Sequence, residues 1–146
     1  MTPDEARRRF AAARVARLAT ADRSGRPHLV PLVFALDGDT VVSAVDHKPK
    51  RTTALRRLAN IENNPQVAVL VDDYDEDWSR LWWARADGAA RILDPVSAQG
   101  EAAIDLLAAR YPQYRSQRPH GPVLAIDVQR WSGWSASGSP DSQLPR

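Results

Sequence analysis

The chain has 146 residues, a length that suits one domain able to bury a core without disulfides or a structural metal. With no cysteine, disulfides and thiolate metal sites are excluded, and three scattered histidines (His28, His47, His120) offer little to a zinc centre. A formal net charge of +2 is too small to signal a nucleic-acid binder, and no run of about 18 apolar residues or signal-like apolar segment occurs, so a soluble, cytoplasmic protein without membrane partners is expected.

Thr2, Pro3 and Glu5 read as an N-cap, a first-turn proline and the glutamate of a capping box, opening a helix that runs to about Ala13. "VARLAT", "PHLVPLVFAL" and "VVSAV", separated by "ADRSGR" and "DGDT", read as a three-stranded meander. Pro31 cannot donate to a sheet ladder, so its position is an edge, a bulge or a place where a ligand approaches. "DHKPKRTTALRRL" then gathers both lysines of the chain and three of its eighteen arginines. It combines a loop after a strand with a helix start, whose amides and dipole favour an anion. Lys48, Lys50 and Arg51 would surround that anion; the competing reading is a solvated basic surface.

Leu55, Leu58, Ala59 and Ile61 recur at helical spacing until an Asn-Asn-Pro stop, and "QVAVLVD" follows as a buried strand. "DDYDED" reads as a solvated loop. "LWWARADGAARIL" reads as a strand with a bulge or bend at Gly88. Trp82 and Trp83 are adjacent on it and point to opposite faces, so one of them needs a dimer surface, a flat aromatic ligand or a cover of helices and tail. Arg85 shares the face of Trp83 and could reach the same ligand. Asp94-Pro95 is expected to cap a helix with Ile104, Leu107 and Ala108 as its apolar stripe. "GPVLAIDVQRWSGW" is a last strand, on which Trp131 and Trp134 are open to the same readings, a dimer surface or flat ligand against core packing or a lid, the last two being favoured. Residues 1–135 are expected to form one domain and 136–146 a mobile tail. Strands interrupted irregularly by helices predict an α+β fold, a small antiparallel barrel with peripheral helices.

The chain has no glycine-rich phosphate fingerprint, no G-x-S-x-G elbow and no H-E-x-x-H, and no Ser-His-Asp spacing can be defended, so the three histidines receive no chemical role. The segment from "ARLATADRSG" to "VAVLVDDY" resembles the flavin-binding split β-barrel group related to pyridoxamine phosphate oxidase. Within it, "HKPKR", "LRRLANIENNPQVAVLVD" and "DWSRLWWARADG" resemble the actinobacterial branch that uses the deazaflavin coenzyme F-420. The resemblance implies a split barrel, a homodimer with two sites at the subunit interface, and a cofactor whose phosphate sits on the basic loop.

By position, the resemblance implies that Pro31, Leu32 and Val33 line the ring system and that Ser43, Ala44 and Val45 run beside the ribityl chain. It gives the phosphate to Lys48, Lys50 and Arg51. Arg56 and Arg57, about 7 to 9 Å further along the helix, would hold the tail carboxylates of F-420, or else merely solvate a helix face. "QRWSGWSASG" has no match for the oxidase's substrate-binding Arg and His, which speaks against pyridoxine phosphate oxidation. The implied activity is an F-420-dependent oxidoreductase acting on a small unsaturated or quinone-like molecule. The alternatives are a non-catalytic carrier of the coenzyme and an FMN-dependent enzyme of the oxidase type.

Overall fold

The computed structural model describes residues 1–45 and 51–137, with backbone alone for 51–55. Its first element, α1 (Pro3–Ala12), starts where the sequence places it, because the Thr2 hydroxyl accepts the Glu5 amide at 3.2 Å. The Glu5 carboxylate takes Arg9 at 3.2 Å rather than closing the expected box. Ala6 and Phe10, four residues apart, are the buried face of the helix.

Strands β1 (Ala16–Ala21) and β2 (Pro27–Leu32) form an antiparallel hairpin. Its turn is tied by the Asp22 carboxylate, which accepts the Ser24 and Arg26 amides at 2.9 Å each, and Gly25 supplies the φ of +86° that the turn requires. The expected three-stranded meander does not form. The run 27–36 breaks at Val33–Phe34, and its second half, β3 (Ala35–Asp37), pairs with β4 (Thr40–Ala44) at the far end of the sheet.

After α2 (Arg51–Asn63) come β5 (Gln66–Asp73), a short 3-10 turn at Trp78–Arg80 and β6 (Trp82–Leu93). Helices α3 (Ala98–Arg110) and α4 (Pro112–Ser116) then precede β7 (Val123–Ser135). The seven strands are ordered β2-β1-β5-β6-β7-β4-β3, and the pairings are antiparallel. Pro31 is therefore on an edge strand, as its missing amide demands. The bulge lies where Gly88 placed it, between Asp87 and Gly88, and a side chain there would collide with the Asp127 carbonyl oxygen. The cap of α3 is corrected from Asp94 to Ser97, whose hydroxyl accepts the Gly100 amide at 3.0 Å; Asp94 instead shapes the preceding turn by accepting the Val96 amide at 2.9 Å.

Two apolar clusters result. Phe10 of α1, Leu18, Phe34, Val41, Val69 and Ile126 belong to the one inside the sheet, and Trp131 packs on Phe10 with ring centroids 5.1 Å apart. Ile104, Leu107 and Tyr111 pack on Ala35, Val42 and Val123 in the other, beneath α3. Where the chain crosses between sheet edges, Ser43 donates to the Val33 carbonyl at 2.7 Å and Arg110 to the Phe34 carbonyl at 3.0 Å. The Tyr111 hydroxyl accepts the Phe34 amide at 3.2 Å and has the Phe34 and Arg14 carbonyls within 2.8 and 3.0 Å.

Tyr111→Phe leaves the buried Phe34 amide without that partner and should cost about 1–3 kcal/mol in urea unfolding, whereas Tyr74→Phe on the surface should cost almost nothing. Gly88→Ala should destabilise by a similar ~1–3 kcal/mol, because backbone on the neighbouring strand must shift to admit the methyl group. Equal unfolding midpoints for Tyr111→Phe and the wild type would contradict this account of the crossover.

Candidate functional site

Helix α2 turns an unexpected face inward. Of the stripe predicted through Leu58, Ala59 and Ile61, Leu58 and Ile61 pack in the inner cluster and Ala59 is exposed, while the buried positions are Arg57, Asn60 and Ile61. Those three are spaced i, i+3 and i+4, so they share one face of the helix. Arg57 is only 9% exposed, and its Nε has no hydrogen-bond partner; among the described residues no carboxylate pairs with it. Burial pushes the Arg57 guanidinium down from its ordinary pKa, and the nearby Tyr114 phenol partly offsets that push. Arg56, the next residue back, is exposed.

The surroundings of Arg57 are traced by hydrogen bonds. Asn60, one turn further along, donates to the Thr20 hydroxyl on β1 at 3.0 Å. Thr20 is the direct cross-strand partner of His28 on β2, so the two side chains stand on the same side of the hairpin. The Nδ1 of His28 is buried and also lacks a partner, and its pKa is lowered by burial first and then by the positive charges of Arg56 and Arg57. The sequence assigned His28 no role. A signal was present in its spacing from Val30 and Leu32, two and four residues on, which places it on the inward face of β2.

A second group of residues lies on the opposite, outer face of the sheet. Trp83 and Arg85 are half-buried neighbours on β6, with the guanidinium carbon 5.5 Å from the ring centroid, while Arg85 Nε also donates to Asp87 at 2.9 Å. Together with Leu70, Asp72 and Tyr74 they line a cavity of about 190 Å³. All five residues come from β5, the segment just after it and β6, so the cavity has one wall. Trp82 turns the other way, against the inner cluster, with Arg9 5.4 Å from its ring. The opposite-face reading of the pair is correct.

The sheet register extends the outer face to the edge. Pro31 is opposite Arg17, Arg17 opposite Leu70 and Leu70 opposite Arg85. Three strand spacings put Pro31 about 14 Å from Arg85 on that face. Leu29, two residues before Pro31, is 68% exposed there. Leu32 and Val45 instead lie in the inner cluster, while Val33 and Ala44 pack against the cluster beneath α3. Ser43 is buried with its hydroxyl committed to the Val33 carbonyl, so a ligand running along residues 43–45 would meet backbone. Lys48 and Lys50 lie outside the described residues, as does the Arg51 side chain, although its backbone opens α2. No group of three or more metal-ligating side chains is found, and no helix is long and apolar enough to cross a membrane, among the described residues.

Comparison with known proteins places this geometry. Residues 2–135 match the family described as pyridoxamine 5'-phosphate oxidase. No curated protein matches the chain. Among solved structures, an FAD-binding protein from Mesorhizobium loti is similar, with a TM-score of 0.70 and 21% identity over 91% of this chain and 94% of the other. The heme storage protein HutZ from Vibrio cholerae is similar at a TM-score of 0.69 and 18% identity, covering 92% of this chain and 95% of its own. A conserved hypothetical protein from Mycobacterium tuberculosis gives a TM-score of 0.70 at 20% identity over 100% of this chain and 93% of the other. These likenesses agree with the α+β split-barrel architecture, and the match over nearly the whole described chain means that this protein belongs to the pyridoxamine 5'-phosphate oxidase family.

Proposed function

We propose that the protein binds an anionic flavin-type cofactor, the deazaflavin coenzyme F-420, and acts as an oxidoreductase on a small unsaturated or quinone-like molecule. The observation that carries this reading is Arg57, a buried cation with no carboxylate beside it among the described residues. Burying an unpaired charge is expensive, and an anionic ligand offsets that cost. FAD-binding proteins among the similar structures, from Mesorhizobium loti and Mycobacterium smegmatis, support a flavin-type ligand.

The start of α2 adds the dipole of a 13-residue helix with no acidic residue in its first turn, and Lys48, Lys50 and Arg51 stand at or before that start. In this reading Arg57 fixes the phosphate end, while exposed Arg56 meets the further carboxylates that F-420 carries and FMN lacks. When bound, the deazaflavin supplies the hydride-carrying carbon. The chain's own residues bind it, orient it and keep water from the ring. The one-walled cavity at Trp83 and Arg85 is on the opposite face of the sheet from Arg57, so a homodimer is proposed in which one cofactor meets the basic elements of one copy and the Trp83–Arg85 wall of its partner. Exposed Leu29, two residues from Pro31 on the outer face, gives that dimer an apolar anchor.

F-420 should bind more tightly than FMN at low salt, with the advantage shrinking as salt screens the tail carboxylates. Lys48→Ala with Lys50→Ala should weaken F-420 binding far more than Arg8→Ala with Arg118→Ala, since charge-assisted phosphate contacts contribute about 1.5 to 3 kcal/mol each. Fluorescence titration checks both, and equal affinities for the two cofactors would remove the deazaflavin assignment. Turnover of the reduced coenzyme with a panel of electron acceptors separates an enzyme from a carrier.

Light scattering at micromolar concentration should show a dimer that Leu29→Asp dissociates. A stable wild-type monomer would contradict the two-copy site.

A further inference from the structure

Two buried nitrogens without partners lie in one cluster, His28 Nδ1 and Arg57 Nε. Arg57 is close enough to act on the charge of His28, and a chain of contacts connects the two residues. Arg57 and Asn60 share the inward face of α2, Asn60 donates to Thr20 at 3.0 Å, and Thr20 stands directly across from His28 on the hairpin. The groups around this cluster are positive or neutral. Arg56 and Arg57 face His28 from α2, Tyr114 approaches Arg57 from α4, and Thr20 and Asn60 satisfy each other. The other charges on the hairpin are Arg17 on the outer face of β1 and, at the turn, Asp22, Arg23 and Arg26: Asp22 accepts the Ser24 and Arg26 amides, and Arg23 donates to Asn63 at 2.9 Å. No carboxylate is bonded to either orphaned nitrogen among the described residues.

We propose that His28 and Arg57 form one buried anion site, in which His28 gives the anion a second charge-assisted hydrogen bond and takes up a proton when the anion enters. An arginine alone brings one positive charge to a tetrahedral oxyanion. A protonated imidazole beside it adds another charge and turns the orphaned Nδ1 into a donor. The inference rests on the anion-binding reading of Arg57 but not on the identity of the cofactor.

The sign follows from the neighbours. In the free protein, burial and the two arginines keep His28 neutral to below its ordinary pKa of 6.5. An anion beside it favours the proton, so anion affinity rises as pH falls through and below that value. The free protein carries the opposite dependence. A half-buried histidine that the fold holds neutral must charge in acid, so the unliganded fold loses stability as pH falls below about 6.5, and the anion offsets that loss.

The test uses sodium sulfate, which does not titrate in this range, against sodium chloride at matched ionic strength. Thermal unfolding of the full chain is followed at pH 8.0 and pH 5.5 for the wild type, His28→Gln, His28→Asn and Arg57→Gln. In the wild type, the sulfate affinity read from the rise in Tm should grow toward acid by up to about tenfold for each pH unit by which the anion raises the His28 pKa. Both His28 variants should keep a sulfate effect of equal size at the two pH values, and Arg57→Gln should lose it at both. The same acid-enhanced sulfate effect in the His28 variants would overturn the proposal while leaving Arg57 as an anion site. No sulfate effect in the wild type at either pH would overturn both. The expected pH profile in a protein that binds neither F-420 nor FMN would support the anion site and remove the cofactor reading alone.

Discussion

The architecture depends on how two peptide units, Val33 and Phe34, are satisfied away from the sheet. The chain must leave one edge of a seven-stranded sheet and enter the other, and in between its polar groups have no ladder to join. Tyr111, Arg110 and Ser43 take their place. One phenol, one guanidinium and one hydroxyl hold the Phe34 amide and the Val33 and Phe34 carbonyls, while Arg110 also donates to the Ala13 carbonyl. The end of α3 is thereby locked to the entry of β1 and the start of β3. Once the crossover is fixed, β2 and β3 occupy opposite edges, and β2 presents Pro31 and Leu29 outward and His28 inward.

That crossover also decides what the sheet faces can do. The inner face is packed by α1 and by Phe10, Phe34 and Trp131, with Phe10 in ring contact with both others. Polar chemistry is displaced to the rim beneath α2, where Arg57 is buried, and to the outer face, where Trp83 and Arg85 sit. The similar structures include an FAD-binding protein and a heme storage protein, so this fold does not choose its ligand by topology. On the proposed reading Arg57 is one of the side chains that make this choice, by pairing with an anionic group of the ligand.

Much of the fold was legible because its signals are local. Thr2 caps α1, Asn-Asn-Pro ends α2, and Gly88 marks the bulge, each through chemistry confined to a few residues. The three-stranded meander failed because "PHLVPLVFAL" has continuous strand propensity, and the break at Val33–Phe34 is imposed by Tyr111, about 77 residues away in sequence. Asp94 was misread as a cap because Asp-Pro also begins tight turns, and Ser97 competes for the same helix start. At the site, Trp83 and Arg85 were paired correctly by strand alternation. Arg57 was read with Arg56 as a holder of tail carboxylates or else a solvated cation, yet its spacing to Ile61 already set it on the inward face. His28 was passed over because its significance comes from α2 and Thr20, which meet it only in three dimensions.

The central claim is that the buried guanidinium of Arg57 exists to hold an anionic part of the cofactor. A crystal structure of the protein with F-420 tests it most directly. The account predicts the phosphodiester within hydrogen-bonding distance of Arg57 Nε, with α2 and β2 of one copy around it and Trp83 of the partner near the ring. A cofactor bound elsewhere, with Arg57 Nε still lacking an anionic partner, would contradict it.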